Sequence, residues 1–423
     1  FGEMTKIPPL RKRAVAIKYD PDGNLEWETR GNEDEYSRWS DGLETLDGYF
    51  TAVGSTAEEL NRTQLDVLIS KLNRNGDILW QKRFAPSYSQ EASRFTEAQG
   101  GELAILGWKR DHPDSTKKFL FFKTQENGDL IWTKTFDPLP TTTELAACEI
   151  VQTSDQGFVL LVKQVVEGTT VQPSLIKTDK EGNLEWRQDS LQPRFNTVLV
   201  PGSTTSISII GEIDTINGAG LYKLDLDGNL ISFQSLPYHA IAGSTNGAAF
   251  SSNDHLLVVN YVPHHPRVFS FDKNGTELWS KSYPLPFHNT AVSITTYPDN
   301  GFALSGFISS RHPTLGYVLR ADSIGNTFTS LLKGHVYFDQ NDNCTDEFEP
   351  PTSNWFIKAE KENGQSYYGK TDSNGNYDIR LGPGVYKVQL VPPNVYWGEC
   401  QGLQEIVIEE RNDTVEIGRA SCR

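Results

Sequence analysis

The segment Lys177-Thr178-Asp179-Lys180-Glu181-Gly182-Asn183-Leu184-Glu185-Trp186 contains the pattern that decides the fold. A basic residue is followed two positions later by Asp or Asn and five positions later by Gly. An aromatic residue lies four positions after this Gly. The glycine of this pattern recurs at Gly23, Gly76, Gly128, Gly182, Gly228, Gly275 and Gly325. Successive copies are 53, 52, 54, 46, 47 and 50 residues apart. A period near 50 residues indicates propeller blades or another array of modules.

Each part of the repeat has a local structural cause. The Asp or Asn can accept hydrogen bonds within a tight turn, and the Gly supplies a positive φ. Alternating apolar and polar residues before the turn predict a strand, and the aromatic residue in the returning strand can pack between neighbouring sheets. A second hairpin signal, such as Gln156-Gly157-Phe158, precedes most copies. Each unit therefore has about four strands, the content of a propeller blade.

The repeats predict an all-β chain in which residues 1–332 form a β-propeller. Residues 13–31 supply half a blade, and complete units are expected near 34–84, 89–137, 144–190, 195–235, 243–283 and 289–332. These units predict a seven-bladed propeller whose first blade is incomplete. A six-bladed ring, with the N-terminal hairpin closing elsewhere, is the alternative.

Composition excludes several classes of protein. The 423 residues carry a net charge of −16, which repels nucleic acid and anionic lipid. Only 37% of the residues are hydrophobic and no 18-residue apolar run occurs, so we expect no nucleic-acid partner and no membrane insertion. The 35 Gly and the 11% aromatic content are typical of a turn-rich β protein.

The repeat resembles those of secreted β-propeller proteins of Bacteroidota, which follow Lys-x-Asp-x-x-Gly-x-x-x-Trp with Asp-Gly-Gly-Tyr. More distantly, it is similar to quinoprotein-type propeller repeats, which also place Trp after a Gly turn. The resemblance covers residues 13–332. It implies an exported protein, extracellular or at the cell surface, although the chain as given begins without a signal peptide.

The sequence changes character at Gly334. It contains Gly334-His335-Val336-Tyr337-Phe338-Asp339, then Thr371-Asp372-Ser373-Asn374-Gly375-Asn376-Tyr377, then Gly384-Val385-Tyr386-Lys387-Val388. These motifs resemble the SdrD B-like and carboxypeptidase-regulatory-like family of small prealbumin-type β-sandwiches found in surface proteins. The resemblance predicts an Ig-like β-sandwich over residues 333–416, and alternating strand patterns support it.

In that family the first acidic loop often binds Ca²⁺. Here oxygen-bearing side chains recur at the spacing that suits this ion, at Asp339, Asn341, Asn343, Asp346 and Glu349. Two of the expected acids are Asn, and Cys344 stands where Gly is usual. The alternative is an Asx-rich turn that caps itself without metal.

Cys344 and Cys400 lie towards opposite ends of the predicted sandwich, and we expect them to form a disulfide, which implies an oxidising compartment. Cys148 lies in an apolar strand of the propeller and is expected to be a buried small residue. Residues 417–423 resemble the translation of a sequencing adapter. We therefore expect that they, including Cys422, are an artefact outside the fold.

No recognised catalytic motif occurs: His-Glu-x-x-His, Cys-x-x-Cys, Gly-x-Ser-x-Gly and the Walker loop are all missing from the sequence. We expect an exported, non-catalytic binding or adhesion protein with a protein or glycan ligand, the sandwich acting as a spacer or stalk. One alternative is a propeller enzyme, either a quinoprotein-like dehydrogenase or a glycan-active enzyme, in which carboxylates or Arg from several blades converge. The other is a purely structural surface protein. Candidate ligand contacts are loops 34–46, 109–117 and 262–267 and the non-repeat tryptophans Trp39, Trp108, Trp355 and Trp397.

Overall fold

A computed structural model describes most of the chain. The described residues are 2–5, 12–19, 25–32, 35–57, 64–168, 170–189, 195–200, 205–213, 218–236, 247–262, 265–283, 288–309, 315–327, 330–341, 343–344, 349–361, 366–382, 384–391, 397–399, 402–408 and 414–422. The chain divides into two compact units, the first comprising Phe1–Thr295 and Ser305–Gly316, the second Thr296–Leu304 and Tyr317–Arg423. Within the described ranges all regular secondary structure is β, which confirms the predicted fold class. None of these ranges contains a helix that could cross a membrane.

The first unit consists mainly of consecutive four-stranded antiparallel sheets. A three-stranded N-terminal sheet precedes them: β1 (Gly2–Thr5), β2 (Lys12–Tyr19) and β3 (Leu25–Arg30). Blade A is β4 (Tyr36–Glu44), β5 (Phe50–Ala57), β6 (Asp66–Leu72) and β7 (Ile78–Phe84). Blade B is β8 (Ser89–Glu97), β9 (Leu103–Arg110), β10 (Lys118–Thr124) and β11 (Leu130–Phe136). Blade C is β12 (Thr142–Gln152), β13 (Phe158–Val166), β14 (Thr170–Thr178) and β15 (Leu184–Gln188).

Two further four-stranded sheets follow in the described part of the chain. Blade D is β16 (Phe195–Val200), β17 (Ile207–Ile213), β18 (Gly218–Leu224) and β19 (Leu230–Leu236). Blade E is β20 (Ala248–Phe250), β21 (Leu256–Val262), β22 (His265–Phe271) and β23 (Glu277–Ser282). A three-stranded sheet of β24 (His288–Thr296), β25 (Phe302–Ser309) and β26 (Leu315–Ala321) comes next.

The arrangement of the sheets is that of a β-propeller. In each blade the strands are ordered as in the sequence, and the first strands β4, β8, β12, β16 and β20 contact their counterparts in the neighbouring blades. The fourth strands alternate exposed and half-buried residues and form the outer edges. Apolar side chains of consecutive blades share one core cluster, such as Phe121 of blade B with Phe158 of blade C. The predicted propeller is therefore confirmed, while the number of blades stays a prediction.

The repeated Trp packs against the glycine turn of the next blade from the N-terminal sheet through blade C, as the sequence pattern predicts. The Trp132 ring of blade B lies against the Gly182 turn of blade C, so closely that a Cβ at Gly182 would lie 2.6 Å from the ring. Trp80 has the same relation to Gly128. Because Gly182 also has a φ of 77°, both close packing and backbone conformation require glycine there.

The Asp and Lys of the repeat stabilise the turns. Asp179 accepts hydrogen bonds from the backbone and side chain of Asn183, at 2.7 and 2.8 Å. The fully buried Lys177 ammonium forms ion pairs of 2.8 Å with Asp155 and with Glu185. The recurring basic residue thus connects two hairpins of one blade, and its role in blade C is structural.

The second unit contains two four-stranded sheets in the described residues. The strands are β27 (Ser330–Phe338), β28 (Phe356–Lys361), β29 (Ser366–Lys370), β30 (Asn376–Leu381), β31 (Gly384–Val391), β32 (Gly398–Glu399), β33 (Gln404–Ile408) and β34 (Thr414–Cys422). One sheet has the order β30-β27-β34-β32 and the other β29-β28-β31-β33. Apolar side chains from both sheets, among them Val336, Ile357 and Tyr386, form one buried cluster between them. The C-terminal module is therefore a small β-sandwich.

The described strands differ in detail from the expected boundaries. The N-terminal sheet has three strands rather than two, and the strand that begins at Ser330 belongs to the sandwich rather than to a sixth blade. Strand β34 pairs in parallel with β27 as far as Ser421, so residues 417–422 continue the strand. The origin of residues 417–423 stays a prediction, since pairing does not test it.

Candidate functional site

The first strands of blades A, B and C share a local irregularity. The register of β4 shifts between Trp39 and Asp41, and β8 shifts between Ala92 and Arg94. The register of β12 shifts in the same way just before Glu149. Such a β-bulge inserts one extra residue and changes the direction of the neighbouring side chains.

The residue after each bulge is ionisable, and the three residues occupy one repeat position. Asp41, Arg94 and Glu149 each lie four residues before the first residue of the hairpin turn that ends their strand. The three side chains interact electrostatically with one another. Because the first strands of consecutive blades are neighbours and blades surround a central channel, these residues form one group on the inner side of three blades. We call it the inner-strand cluster.

Two members of the inner-strand cluster connect blades A and B. The carboxylate of Asp41 accepts a hydrogen bond of 3.1 Å from the backbone N–H of Phe95 in blade B. Arg94 donates to the carbonyl of Ser40 in blade A at 3.4 Å, and to the carbonyl of Ser93 at 2.8 Å. The two side chains are therefore held in place by the backbone of both blades.

Burial makes ionisation of the two carboxyl groups unfavourable. It raises the pKa of Glu149 to about 8, and the neighbouring Asp41 charge raises it further, while Arg94 acts in the opposite direction. Burial also raises the pKa of Asp41, opposed by Arg94 and by the N–H groups of Phe95 and Gly42. At neutral pH Glu149 is thus mostly protonated and can donate a proton or a hydrogen bond. Perturbed carboxyl groups of this kind concentrate at functional sites.

A second group of side chains lies near the start of the same strands. Arg38, three residues before Asp41, forms a 3.8 Å ion pair with Glu91 of the neighbouring strand. Beside them, the Lys117 ammonium lies 3.8 Å from the centre of the Trp108 ring, a cation–π contact. Burial and the Arg110 charge lower the pKa of Lys117, whereas Glu91 and Glu144 raise it. Polar groups therefore continue from the inner-strand cluster along β4 and β8.

The non-repeat tryptophans were expected to contact ligand, and the structure changes this expectation. Trp39 is only 1% exposed and donates a hydrogen bond to Ser70, so the prediction for Trp39 is wrong and its role is core packing. Trp355 and Trp397 pack edge to face at 5.1 Å within the sandwich unit. Trp108 is half-buried beneath Lys117 and is the tryptophan of this set that lies beside the candidate site.

The predicted calcium loop is described in part, because Asp346 lies outside the described residues. The Asp339 carboxylate accepts backbone N–H groups of Asn341, Asn343 and Cys344, at 3.3, 3.2 and 2.7 Å. The Asn341 side chain accepts the N–H of Asn343 at 3.0 Å, and Glu349 accepts the N–H of Gln340 at 3.2 Å.

These bonds are those of a turn that caps itself, the alternative interpretation of the loop. The oxygen donors still match in type what Ca²⁺ prefers, so the residues fit such an ion and calcium binding stays a prediction. Among the described residues, those of this loop included, no three His, Cys, Asp or Glu side chains group as metal ligands would.

Cys344 stands at a position whose backbone conformation favours glycine. Its φ is 58°, the left-handed conformation that the usual Gly adopts without strain. Its side chain is exposed and, among the described residues, its thiol is free. Cys400 lies outside the described residues, so the disulfide between Cys344 and Cys400 stays a prediction.

Sequence reasoning missed the inner-strand cluster because its members differ in type and lie more than 50 residues apart. The signal that could have found them is the alignment of the repeats. The position four residues before the first turn is Asp in one copy, Arg in the next and Glu in the third. The residue at this inner-strand position is charged and changes in type from blade to blade. The turn residues, which serve packing, instead recur from one repeat to the next.

Comparison with known proteins gives no family for this chain. No family model matches, and no curated protein matches. Among solved structures, the chain is similar to a Bacteroides caccae protein of unknown function, with 9% identity, coverage of 64% of this chain and 90% of that one, and a TM-score of 0.37.

Two enzymes are also similar to parts of the chain. A prolyl endopeptidase has 11% identity, with 90% of this chain and 49% of that one covered and a TM-score of 0.47. A Hadza microbial sialidase has 10% identity, with 66% and 64% covered and a TM-score of 0.45. The chain thus spans about half the length of the peptidase and less than two thirds of the sialidase.

Proposed function

We propose that this chain is an exported binding protein whose propeller holds an extracellular ligand at the inner-strand cluster. The observation that carries the proposal is the convergence of Asp41, Arg94 and Glu149 from three consecutive blades. Buried ionisable residues that interact with one another add little net stability, since their replacement by apolar residues is often neutral or stabilising. Three such residues at one repeat position are therefore better explained by a ligand than by packing. Export to the cell surface is part of the proposal and is supported by the sequence resemblance alone.

The site is suited to binding because its groups are prearranged. The Asp41 carboxylate and the Arg94 guanidinium are both fixed by backbone hydrogen bonds before any ligand arrives. Fixed side chains lose little conformational entropy on binding, which improves affinity. The sandwich, which has its own closed core, serves in this proposal as a spacer or stalk.

One observation favours an enzyme as the second candidate function. A carboxyl group whose pKa is about 8, as for Glu149, can act as a general acid at neutral pH. With Asp41 as a second carboxyl group nearby, the pair has the two residue types that glycoside hydrolysis requires. This alternative predicts turnover, whereas the binding proposal predicts a stable complex without product.

The experiment is a ligand array of glycans and extracellular proteins, probed with the chain in buffers with and without calcium. Hits are repeated with Asp41→Asn and with Glu144→Gln, an exposed acid on β12, as the matched control. The proposal expects a hit that Asp41→Asn weakens about tenfold and Glu144→Gln leaves unchanged. Release of a cleaved product from a hit would establish the enzyme instead. Hits that both variants bind as well as the native chain would overturn the site.

A further inference from the structure

We propose that Gly54 and Gly107 are positioning residues of the inner-strand cluster, an inference that rests on the binding function proposed above. Each glycine lies in the second strand of its blade, opposite the β-bulge of the first strand. In blade A, Gly54 pairs with Trp39, the residue before the register shift. In blade B, Gly107 pairs with Ala92 in the same way. The two glycines therefore occupy one position relative to the two bulges.

Neither glycine leaves room for a side chain. A Cβ at Gly54 would lie 1.9 Å from the carbonyl oxygen of Arg38, and a Cβ at Gly107 would lie 1.9 Å from the carbonyl oxygen of Glu91. Both obstacles are backbone atoms of the first strand, which cannot turn aside as the end of a flexible side chain can. Glycine thus allows the first and second strands of blades A and B to approach this closely at the bulge.

The two bulges carry the groups that hold Asp41 and Arg94. Ser40 and Ser93 are the extra residues of the bulges, since the pairing register skips each of them. Nη1 of Arg94 donates to both of their carbonyl oxygens, at 3.4 Å to Ser40 and 2.8 Å to Ser93. Asp41, which follows Ser40, accepts the N–H of Phe95. The path of each bulge therefore sets the positions of the side chains that connect blades A and B.

Blade C separates the role of the glycine from the bulge itself. There Val162 pairs with Ala147, at the corresponding place before the register shift that precedes Glu149. A bulge thus forms opposite a residue that has a Cβ. We therefore expect Gly54→Ala and Gly107→Ala to fold and to keep their bulges. The first strand should lie farther from the second in each variant, and the hydrogen bonds between blades A and B should weaken.

The first measurement is binding of the strongest hit from the ligand array. The native chain is compared with Gly54→Ala, with Asp41→Asn and with the double variant. If the glycine acts through Asp41, each single change is expected to weaken binding about tenfold and the double variant little further. Gly316→Ala is the matched control, because a Cβ at this strand glycine would lie 3.9 Å from the Gly306 carbonyl oxygen, an ordinary contact. It is expected to bind as the native chain does.

The second measurement needs no ligand. Hydrogen exchange of the Phe95 amide is expected to be faster in Gly54→Ala and in Asp41→Asn than in the native chain, because its acceptor is displaced in one variant and weakened in the other. The Ala98 amide of the same blade, which donates to the Glu102 carbonyl at 2.7 Å, is the internal reference and should not change. An equal rise at both amides would show a general loosening of blade B and would overturn the positioning role.

The outcomes separate this inference from the proposed function. Additive losses in the double variant, or native binding by Gly54→Ala where Asp41→Asn binds weakly, would overturn the positioning role and leave the binding site intact. Binding that Asp41→Asn leaves unchanged would overturn the proposed function, and the Phe95 exchange rate would then decide the positioning role alone.

Gly107→Ala, combined with Arg94→Gln in place of Asp41→Asn, repeats both measurements for blade B. If only one of the two alanine variants folds, that variant decides, since each glycine acts on its own bulge. If neither Gly54→Ala nor Gly107→Ala folds, the glycines are required by the blades themselves and the inference is overturned.

Discussion

The indole N–H of Trp186 in blade C donates a hydrogen bond of 2.8 Å to the backbone carbonyl of Leu226 in blade D. Trp27 makes the equivalent bond to the carbonyl of Arg74, at 2.9 Å. In these two repeats the Trp side chain therefore reaches the turn of the next blade, and the sheets are joined there by a polar contact as well as by apolar packing.

Trp186→Ala is expected to lower the free energy of unfolding by about 3–5 kcal/mol, because it removes the ring from between two blades and leaves the Leu226 carbonyl without this donor. Urea denaturation measures the loss. Trp186→Phe, which keeps an aromatic ring and loses only the N–H, should cost about 1 kcal/mol. Equal losses in both variants would show that the hydrogen bond, rather than the ring packing, dominates.

Lys177→Met is expected to destabilise the chain by about 2 kcal/mol at neutral pH, because the buried ammonium pairs with Asp155 and Glu185. The hydrogen bond and charge of Lys177 lower the pKa of Asp155 in opposition to burial. A carboxyl group with a lowered folded-state pKa stabilises above its ordinary pKa, near 4, and loses this effect as pH falls further. The difference between native chain and variant should therefore shrink below about pH 4. A difference independent of pH would contradict this assignment.

Cys344→Gly is expected to stabilise the sandwich by about 1 kcal/mol, because the φ of 58° at this position strains any residue with a Cβ. Thermal unfolding of the reduced protein measures the change. Cys344→Ala, which removes the thiol and keeps the Cβ, is the control and should leave stability nearly unchanged. A gain in the Ala variant as large as in the Gly variant would show that backbone strain is not the cause.

Calcium is expected to raise the thermal midpoint of the sandwich if it binds the loop of Asp339, because an ion that binds only the folded state stabilises it by mass action. Differential scanning calorimetry with calcium and with a chelator measures the shift. Asp339→Asn, which keeps the side-chain shape and removes the charge, should abolish it. A midpoint that calcium leaves unchanged in the native chain would favour the self-capping turn shown by the Asn341 and Asn343 hydrogen bonds.

Glu149→Gln is expected to change how stability depends on pH. The folded-state pKa of about 8 lies above the ordinary value of 4.5, so the unfolded chain releases this proton first as pH rises. The native chain should therefore lose stability relative to Glu149→Gln between about pH 4.5 and pH 8, by about 2–3 kcal/mol for a half-buried group. Urea denaturation at intervals across this range measures the loss. Parallel curves for the two proteins would show that Glu149 is ionised at neutral pH.

The repeat made the propeller predictable because its signals are local. A turn needs its Gly and its Asp within a few residues, as at Gly182 and Asp179, and the Trp at fixed distance follows from strand geometry. The candidate site was not predictable in the same way. Its residues come together through the packing of first strands from different blades, and a β-bulge such as that before Glu149 leaves no mark in a single strand sequence. Trp39 shows the opposite error: its place outside the repeat pattern predicts a ligand contact, but its side chain is buried in the core.

We propose that three blades of this propeller form one ligand site through Asp41, Arg94 and Glu149. A crystal structure of the chain with the strongest ligand from the array would locate the bound ligand. We expect density for the ligand within hydrogen-bond distance of at least two of these side chains. A ligand bound at the outer edge of a blade, or on the sandwich, would contradict it.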